Sequence, residues 1–566
     1  MSIQKLWKDA LAWKLAGGAK AAGIATYATD PLTGISLLAG ANTLATGRPI
    51  SYGPAPVAAL GDSITAYAAT GAVNTNIMSY QPHGFMTWAM GFSMGALWCP
   101  LVGTPNNGSP LLNYNRGVSG ETAEQVLTRV PELDALPVKP VFCSVLAGTN
   151  NLVVNPTQTA ESITKTIISI CAALLNRGIT PVLCTLLPRG NGTSGGWGSL
   201  TSGQITTARS NLMDVNRRLR QYAAVATGVI LADTFYSILN YSSATSDPVA
   251  GLTGAASSSP DYLHPNVPGS QAVGQVWWNA VNKFTGLPAR QAAGSGDNYS
   301  ASNPFGAMWD SSFSTNGGAV GAGASAASAW AATTAYAKNK IVVSSGNIYR
   351  AAVGGTSGLV APIHTVGQAV DGTVCWEWQA SAGLSGVPVG WTVARGTGSG
   401  AVAEVATSAR ADGLIGYEST ISINPSTDAN TTFQSYPTAL GGGVPDANFS
   451  AGDAIYLEHE VTVDCGSALA YGVPDIQLRA SISAYVGIYQ LHTTLATSGV
   501  ATHCVGKFTA LFRSPILDTG AANIASISGT VAIDGARTGG VGFMNVTHRN
   551  QTIRKYNKSA VGAVTW

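Results

Sequence analysis

The chain reads as a multidomain protein: a three-layer α/β domain, then a small aromatic-rich β unit, then a C-terminal all-β sandwich or jelly roll. Three observations predict this. At 566 residues the chain is too long for one hydrophobic core. Residues 51–288 alternate short apolar runs with amphipathic helical stretches, the pattern of a parallel sheet covered on both faces. Beyond residue 289 the helical period disappears, and partly alternating runs separated by Gly, Pro, Asn and Asp take over.

Residues 1–50 form a leader. Ile3, Leu6, Trp7, Ala10 and Leu11 partly follow helical spacing. That pattern fits a short helix packed on the next domain or a segment that docks onto a larger assembly equally well. In residues 51–288 the strand candidates are PVAAL, VFCSVLAG, TPVLCTLLP and GVILAD. TAESITKTIISICAALLNRG is a helix candidate that puts Ile163, Ile167, Ile170 and Leu174 on one face and ends at Gly178. ARSNLMDVNRRLRQYAAVA is a second. Residues 289–326, rich in Gly, Ala and Ser, read as a linker. Residues 327–382 read as a small β module of carbohydrate-binding type, with Trp330, Tyr336, Tyr349, Trp376 and Trp378 at intervals. Most of these aromatics are expected in its core, with one or two left for stacking on sugar. Residues 383–566 supply the strand candidates LIGYESTISIN, AIYLEHEVTV, IQLRASISAYVGIYQLH, HCVGKFTALFR and SGTVAIDG. This last region is expected to bind glycan or hold subunits together.

Composition excludes several classes. Charged residues make up 10% of the chain, against roughly 25% in ordinary globular proteins. The net charge of +2, with no Lys/Arg cluster, gives no sign of nucleic acid as a partner. No apolar run approaches the roughly 20 residues that cross a bilayer. The seven cysteines are scattered without a CxxC pair, which argues for reduced thiols rather than disulfides or zinc. The histidines show no metal-ligand spacing, and no GxGxxG or P-loop appears, so neither metal nor organic cofactor is expected. The first residues carry charges through their apolar positions and do not form a secretory signal.

Four blocks in fixed order carry the chemistry: GDSIT from Gly61, NRGVSGET from Asn115, AGTNN from Ala147 and DYLHPN from Asp261. Ser63, at the end of a strand, is the candidate nucleophile. A serine hydroxyl needs a base near neutral pH, and His264 is the candidate. Asp261, three residues earlier, can hold the imidazole tautomer so that its far nitrogen faces Ser63. Alone, an Asp and a His beside a proline are ordinary turn residues, and Asn150 alone can be a helix cap. Trp88, Trp98 and Trp197 are candidates for cleft walls, and His83 for a surface or cleft position.

Together the blocks resemble the SGNH (GDSL-type) hydrolases, over about residues 55–285. The resemblance implies a flavodoxin-like α/β fold, a Ser63–His264–Asp261 triad, and an oxyanion hole made by the backbone N–H groups of Ser63 and Gly120 and the side-chain amide of Asn150. One position departs: many members carry Asp where this chain has Asn151, so local hydrogen bonding is expected to differ. The family's members are esterases, lipases and carbohydrate deacetylases. The β module and the leader resemble parts of bacteriophage tail spikes or fibres. That resemblance implies an O-acetylated polysaccharide as substrate, a homotrimer, assembly in the host cytosol, and attachment to a tail or baseplate protein through the N-terminus. Alternatives are a bacterial acetylxylan-type esterase acting outside the cell and a receptor-binding tail protein without activity. A fragment of residues 51–290 is expected to keep its chemistry on a small ester.

Overall fold

The computed structural model describes residues 55–285 with short gaps, 324–381, and the strands of 319–320 and 384–557. The leader therefore lies outside the described residues, as do His83, Cys465, Cys504 and the side chain of Trp98.

The first domain is built on a parallel sheet. Its strands are β1 (Ala55–Gly61), β2 (Leu97–Trp98), β3 (Asn115–Gly117), β4 (Phe142–Leu146), β5 (Thr180–Cys184) and β6 (Ile230–Ala232). β1 pairs with β4 along one edge; along the other it pairs with β2 through Ala55–Pro56 and with β3 through Ala59–Gly61. β5 and β6 follow outward from β4. With β2 and β3 sharing one position, this is the five-position order of flavodoxin-like sheets, whose sites lie at the carboxyl ends of the strands. Val57, Ala58, Ala59 and Leu60 are all fully buried, as are Val182 and Leu183, because both faces of the sheet are covered.

The helices are α1 (Ser63–Ala66), α2 (Phe85–Phe92), α3 (Ala123–Thr128), α4 (Asn151–Val154), α5 (Ala160–Asn176), α6 (Ser202–Val225) and α7 (Val267–Val281). α5 buries Ile163, Ile167, Ile170 and Leu174 as its spacing predicts. The Gly178 N–H reaches Leu175 O at 2.8 Å and the Ile179 N–H reaches Leu174 O at 3.0 Å, a Schellman ending. α6 begins several residues before the periodic pattern does. Its start is set by a capping box, in which Thr201 Oγ1 accepts from the Gln204 N–H and the Gln204 side chain accepts from the Thr201 N–H.

Residues 319–557 contain strands and no helix among the described residues. β7 (Ile341–Ser344), β8 (Asn347–Val353), β9 (Gln368–Asp371) and β10 (Val374–Ser381) form an antiparallel sheet in the order β7-β8-β10-β9. Tyr349 and Trp376 are fully buried in this unit, and Tyr336 stands edge-on to Trp376 at 4.9 Å. Trp330 and Trp378 are only half-buried. Part of the expected linker is strand: Ala319–Val320 and Ala324–Ala326 add parallel edges to the C-terminal sheets. Small residues without alternation hid that role. The run IQLRASISAYVGIYQLH, read as one strand, is a hairpin of Pro474–Ile482 and Tyr485–Leu491 with Ile482 opposite Tyr485. The alternation continues in phase from one strand to the next, so the run shows no break in sequence.

The first domain and the C-terminal strands share a core. Val461, Val463 and Val546 belong to the same buried cluster as Val57 and Leu60. Trp88 of α2, 1% exposed, meets Phe508 edge-on at 5.2 Å. Val102–Gly103 pairs in parallel with Ile516–Leu517. Trp88 is thus a core residue rather than a cleft wall.

Cys99, Cys143, Cys171 and Cys184 are buried free thiols, and Cys375 is also free. Burial pushes Cys99, Cys171 and Cys184 up to about 12, which leaves them protonated and inert. No helix of the described residues is long and apolar enough to cross a membrane.

Candidate active site

Three of the four blocks sit at the carboxyl ends of adjacent strands: Ser63 after β1, Gly120 after β3 and Asn150 after β4. The fourth lies on the loop before α7. It is pinned by the Gly254 N–H to His264 O at 2.8 Å and the Asn266 N–H to Leu252 O at 3.1 Å. Tyr262 takes φ +55 there, a left-handed conformation that costs a non-glycine residue about 1–2 kcal/mol. Strain of this kind collects at functional sites.

Ser63 Oγ stands 2.8 Å from His264 Nε2, and His264 Nδ1 stands 2.7 Å from Asp261 Oδ2. Asp261 Oδ1 accepts from the backbone N–H groups of Leu263 at 3.0 Å and His264 at 2.9 Å. Burial would raise the Asp261 carboxyl, but its hydrogen bonds from His264 and the Leu263 backbone outweigh that and hold it below the usual range. An ionised Asp261 accepts from Nδ1–H and leaves Nε2 to take the serine proton. The arrangement can therefore generate a serine nucleophile and return its proton to a leaving group.

Gly120 has φ +83, and a Cβ built on it meets nothing within 4 Å, so its backbone borders open space. Asn150 stands at the N-cap of α4, but its side chain makes no capping bond. Its Nδ2 donates instead to Glu121 O at 2.9 Å, which leaves its second N–H available. Asn150→Ala is expected to lower kcat by about 10²–10³-fold with little change in KM, the loss typical of one oxyanion donor. A rise in KM alone would assign Asn150 to ground-state binding.

A polar scaffold joins the blocks. Asn115 Nδ2 donates to Thr65 O at 2.9 Å, tying the second block to the nucleophile helix. Arg129 pairs with Glu121 and donates to Arg116 O at 2.6 Å and Gly61 O at 3.3 Å. Asn151, the departing position, accepts from the Ala123 N–H at 2.8 Å and donates to Glu124 at 2.6 Å and Gln158 at 2.9 Å. A carboxylate at position 151 would face Glu124, so the amide is the residue that this surrounding accepts.

Two neighbours escape the motif reading. Arg189 is 5% exposed, donates to Gly196 O at 2.9 Å and Thr149 O at 3.1 Å, and lies over Trp197 at 5.4 Å. Burial pulls it down to about 10, against the nearby Asp62 and Asp261. It stays charged at neutral pH beneath the site. Trp197 is fully buried as its platform, not a cleft wall. Asp62 is also fully buried, with one oxygen accepting from the Ile64 N–H at 3.0 Å and the other lacking a partner among the described residues.

Burial pushes the Asp62 carboxyl up to about 6, against the Ile64 N–H, His264 and Arg189. A carboxyl raised in the folded state costs stability when ionised. The cost is absent below its unfolded value of 3.8, grows as pH rises through about 6, and reaches about 3 kcal/mol above that. Asp62→Asn is expected to flatten the dependence of Tm on pH across this window. An unchanged slope would place the titration elsewhere.

Among the described residues no group of three His, Cys, Asp or Glu side chains is disposed to hold a metal ion. His548 is fully buried, and burial lowers it to about 4, so it stays neutral in the C-terminal sheet.

Residues 59–272 match the GDSL-like Lipase/Acylhydrolase family. Among solved structures, the chain is similar to a GDSL-like lipase from Bacteroides thetaiotaomicron, at 18% identity over 43% of this chain and 95% of that one, with a TM-score of 0.29. It is also similar to a family 3 carbohydrate esterase from Clostridium thermocellum, at 15% identity over 41% and 96%, TM-score 0.27. A third likeness is a carbohydrate acetylesterase from Sinorhizobium meliloti, at 14% identity over 40% and 98%, TM-score 0.26. A search of curated proteins returns no match.

Proposed function

We propose, with residues 59–272 as a GDSL/SGNH acylhydrolase domain for premise, that the chain is a serine esterase that removes O-acetyl groups from a bacterial surface polysaccharide. The observation that carries this reading is the unbroken relay from Ser63 Oγ through His264 to Asp261, at 2.8 and 2.7 Å. Ser63 Oγ attacks the ester carbonyl while its proton passes to His264 Nε2. The N–H groups of Ser63 and Gly120 and the amide of Asn150 receive the developing oxyanion. Collapse breaks the bond to the sugar oxygen, which leaves with the proton from Nε2. Water then attacks the acetyl-serine, giving a proton to Nε2, and acetate departs as that proton returns to Ser63.

The same proposal sets the protein in a virion tail as a homotrimer, joined to a tail or baseplate protein through its first 50 residues. Buried free thiols fit folding in a reducing cytosol, and an extensive β region joined to the hydrolase core fits a fibrous assembly. Acetate release is the test. The protein is expected to release acetate faster from O-acetylated bacterial polysaccharide than from acetylxylan, while also cleaving a chromogenic acetyl ester. Preference for xylan would favour the xylan esterase reading, and no turnover of any of the three would leave only a binding role. Light scattering on the same preparation checks for the trimer.

A further inference from the structure

The seam between the small β unit and the C-terminal sheet holds a cavity of about 210 Å³, far from the four blocks in sequence. Its walls come from β7, β8, β10 and the strands Ala403–Ala409, Tyr417–Ile423, Asp453–Asp464, Lys507–Arg513 and Met544–Asn557. The two units are locked together around it. Ile341 and Ile348 pack on Ala406, Arg350 bridges Glu377 and Asp464, and Asn545 Nδ2 donates to Asn339 O at 3.0 Å.

We propose that this seam binds one neutral sugar ring. The volume equals roughly seven waters' share of the liquid, which is the scale of one pyranose with its hydroxyls. The walls are rich in hydroxyls, set in facing pairs: Thr420 with Thr547 and Thr462 with Thr509, each at 2.8 Å. Such pairs can give or accept, as sugar hydroxyls require. Asn545, only 5% exposed, also lines the cavity, and its Oδ1 has no hydrogen-bond partner among the described residues. The half-buried indole of Trp378 adds an apolar face, while its Nε1 is already engaged with Asn347 Oδ1 at 3.2 Å. A ring with hydroxyls at its rim and C–H groups on its face matches that combination.

Charge argues against other ligand classes. Glu418 pairs with Arg549 at 2.6 Å, Arg350 pairs with both Glu377 and Asp464, and Lys507 also lines the cavity, so the three carboxylates stand against three cations and neither sign of charge dominates. The ion pairs present planar polar edges that hold sugar hydroxyls without changing charge. The seam thereby gives a polysaccharide-processing chain a second hold on its polymer, so this inference rests on the proposed reading for its purpose but not for its detection.

The test uses the full-length chain with Ser63→Ala, so that no ester is turned over. Glucose, galactose and N-acetylglucosamine are titrated separately while tryptophan fluorescence and ligand NMR line widths are followed. At least one is expected to saturate a single site with a Kd on the order of 1 mM, the affinity scale for so small a ligand. Asn545→Ala is expected to weaken that Kd at least about 10-fold. Thr509→Val, which removes one hydroxyl with little change of shape, is the second variant, and near-UV circular dichroism checks that both fold. No saturation by any of the three sugars up to about 100 mM, or equal affinity in both folded variants, would overturn the proposal. Ester hydrolysis by the same substitutions in the Ser63 background is expected to stay at the parent rate. An active esterase without sugar binding therefore fails the seam alone.

Discussion

Ser63→Ala is expected to lower kcat for ester hydrolysis by about 10⁶-fold, with folding intact. Ser63 is 7% exposed, and its Oγ has the His264 Nε2 contact as the link to the relay. Removing one oxygen takes away the hydroxyl that His264 Nε2 is placed to deprotonate. What remains is whatever the oxyanion donors and substrate binding give by themselves, about 10³–10⁴ over water in serine enzymes of this design. The side chain is small, so Tm is expected to change little. Turnover at the parent rate in a folded variant would remove Ser63 as the nucleophile.

Asp261→Asn is expected to cost about 10⁴-fold in kcat. The substitution keeps an oxygen able to accept from the Leu263 and His264 N–H groups, so the turn survives. At the other position an NH₂ replaces an acceptor and faces His264 Nδ1, now 2.7 Å away. The imidazole must then carry its proton on Nε2 and cannot take one from Ser63. The loss is a tautomer effect, so KM is expected to move far less than kcat. A loss confined to KM would mean that Asp261 serves substrate binding.

Ser63, His264 and Asp261, named from the motifs, are joined by hydrogen bonds in the fold, and Asn150 follows β4. The first and third blocks directly follow the apolar runs PVAAL and VFCSVLAG, and in a parallel sheet the end of such a run marks a strand's carboxyl end. Gly120 rested on the family resemblance, whereas Ser63 and Asn150 could be placed from that rule. Arg129 and Arg189 could not. Their meaning comes from carbonyl groups and carboxylates distant in the chain, such as Gly61 O for Arg129 and Thr149 O for Arg189. Asp62 drew no separate reading within GDS, because sequence does not show burial. The β region was legible as strands but not as pairings: the hairpin at 482–485 and the edge strands within 319–326 depend on partners that local alternation does not name.

The contact between Trp88 and Phe508 reaches beyond packing. A chain made of an enzyme tethered to passive modules melts in stages, and its enzyme can be cut out and reused. Here α2 spends its indole on a strand more than four hundred residues later, and the same buried cluster runs through both. A polypeptide ending near residue 290 would turn that face to water and lose an edge-to-face pair worth about 0.5–1.5 kcal/mol beyond the area itself. Heating is therefore expected to give one calorimetric transition for catalytic and β regions together, with activity lost in step. The hydrolase is then less a passenger on its β scaffold than a part of it, and its chemistry persists only while the scaffold does.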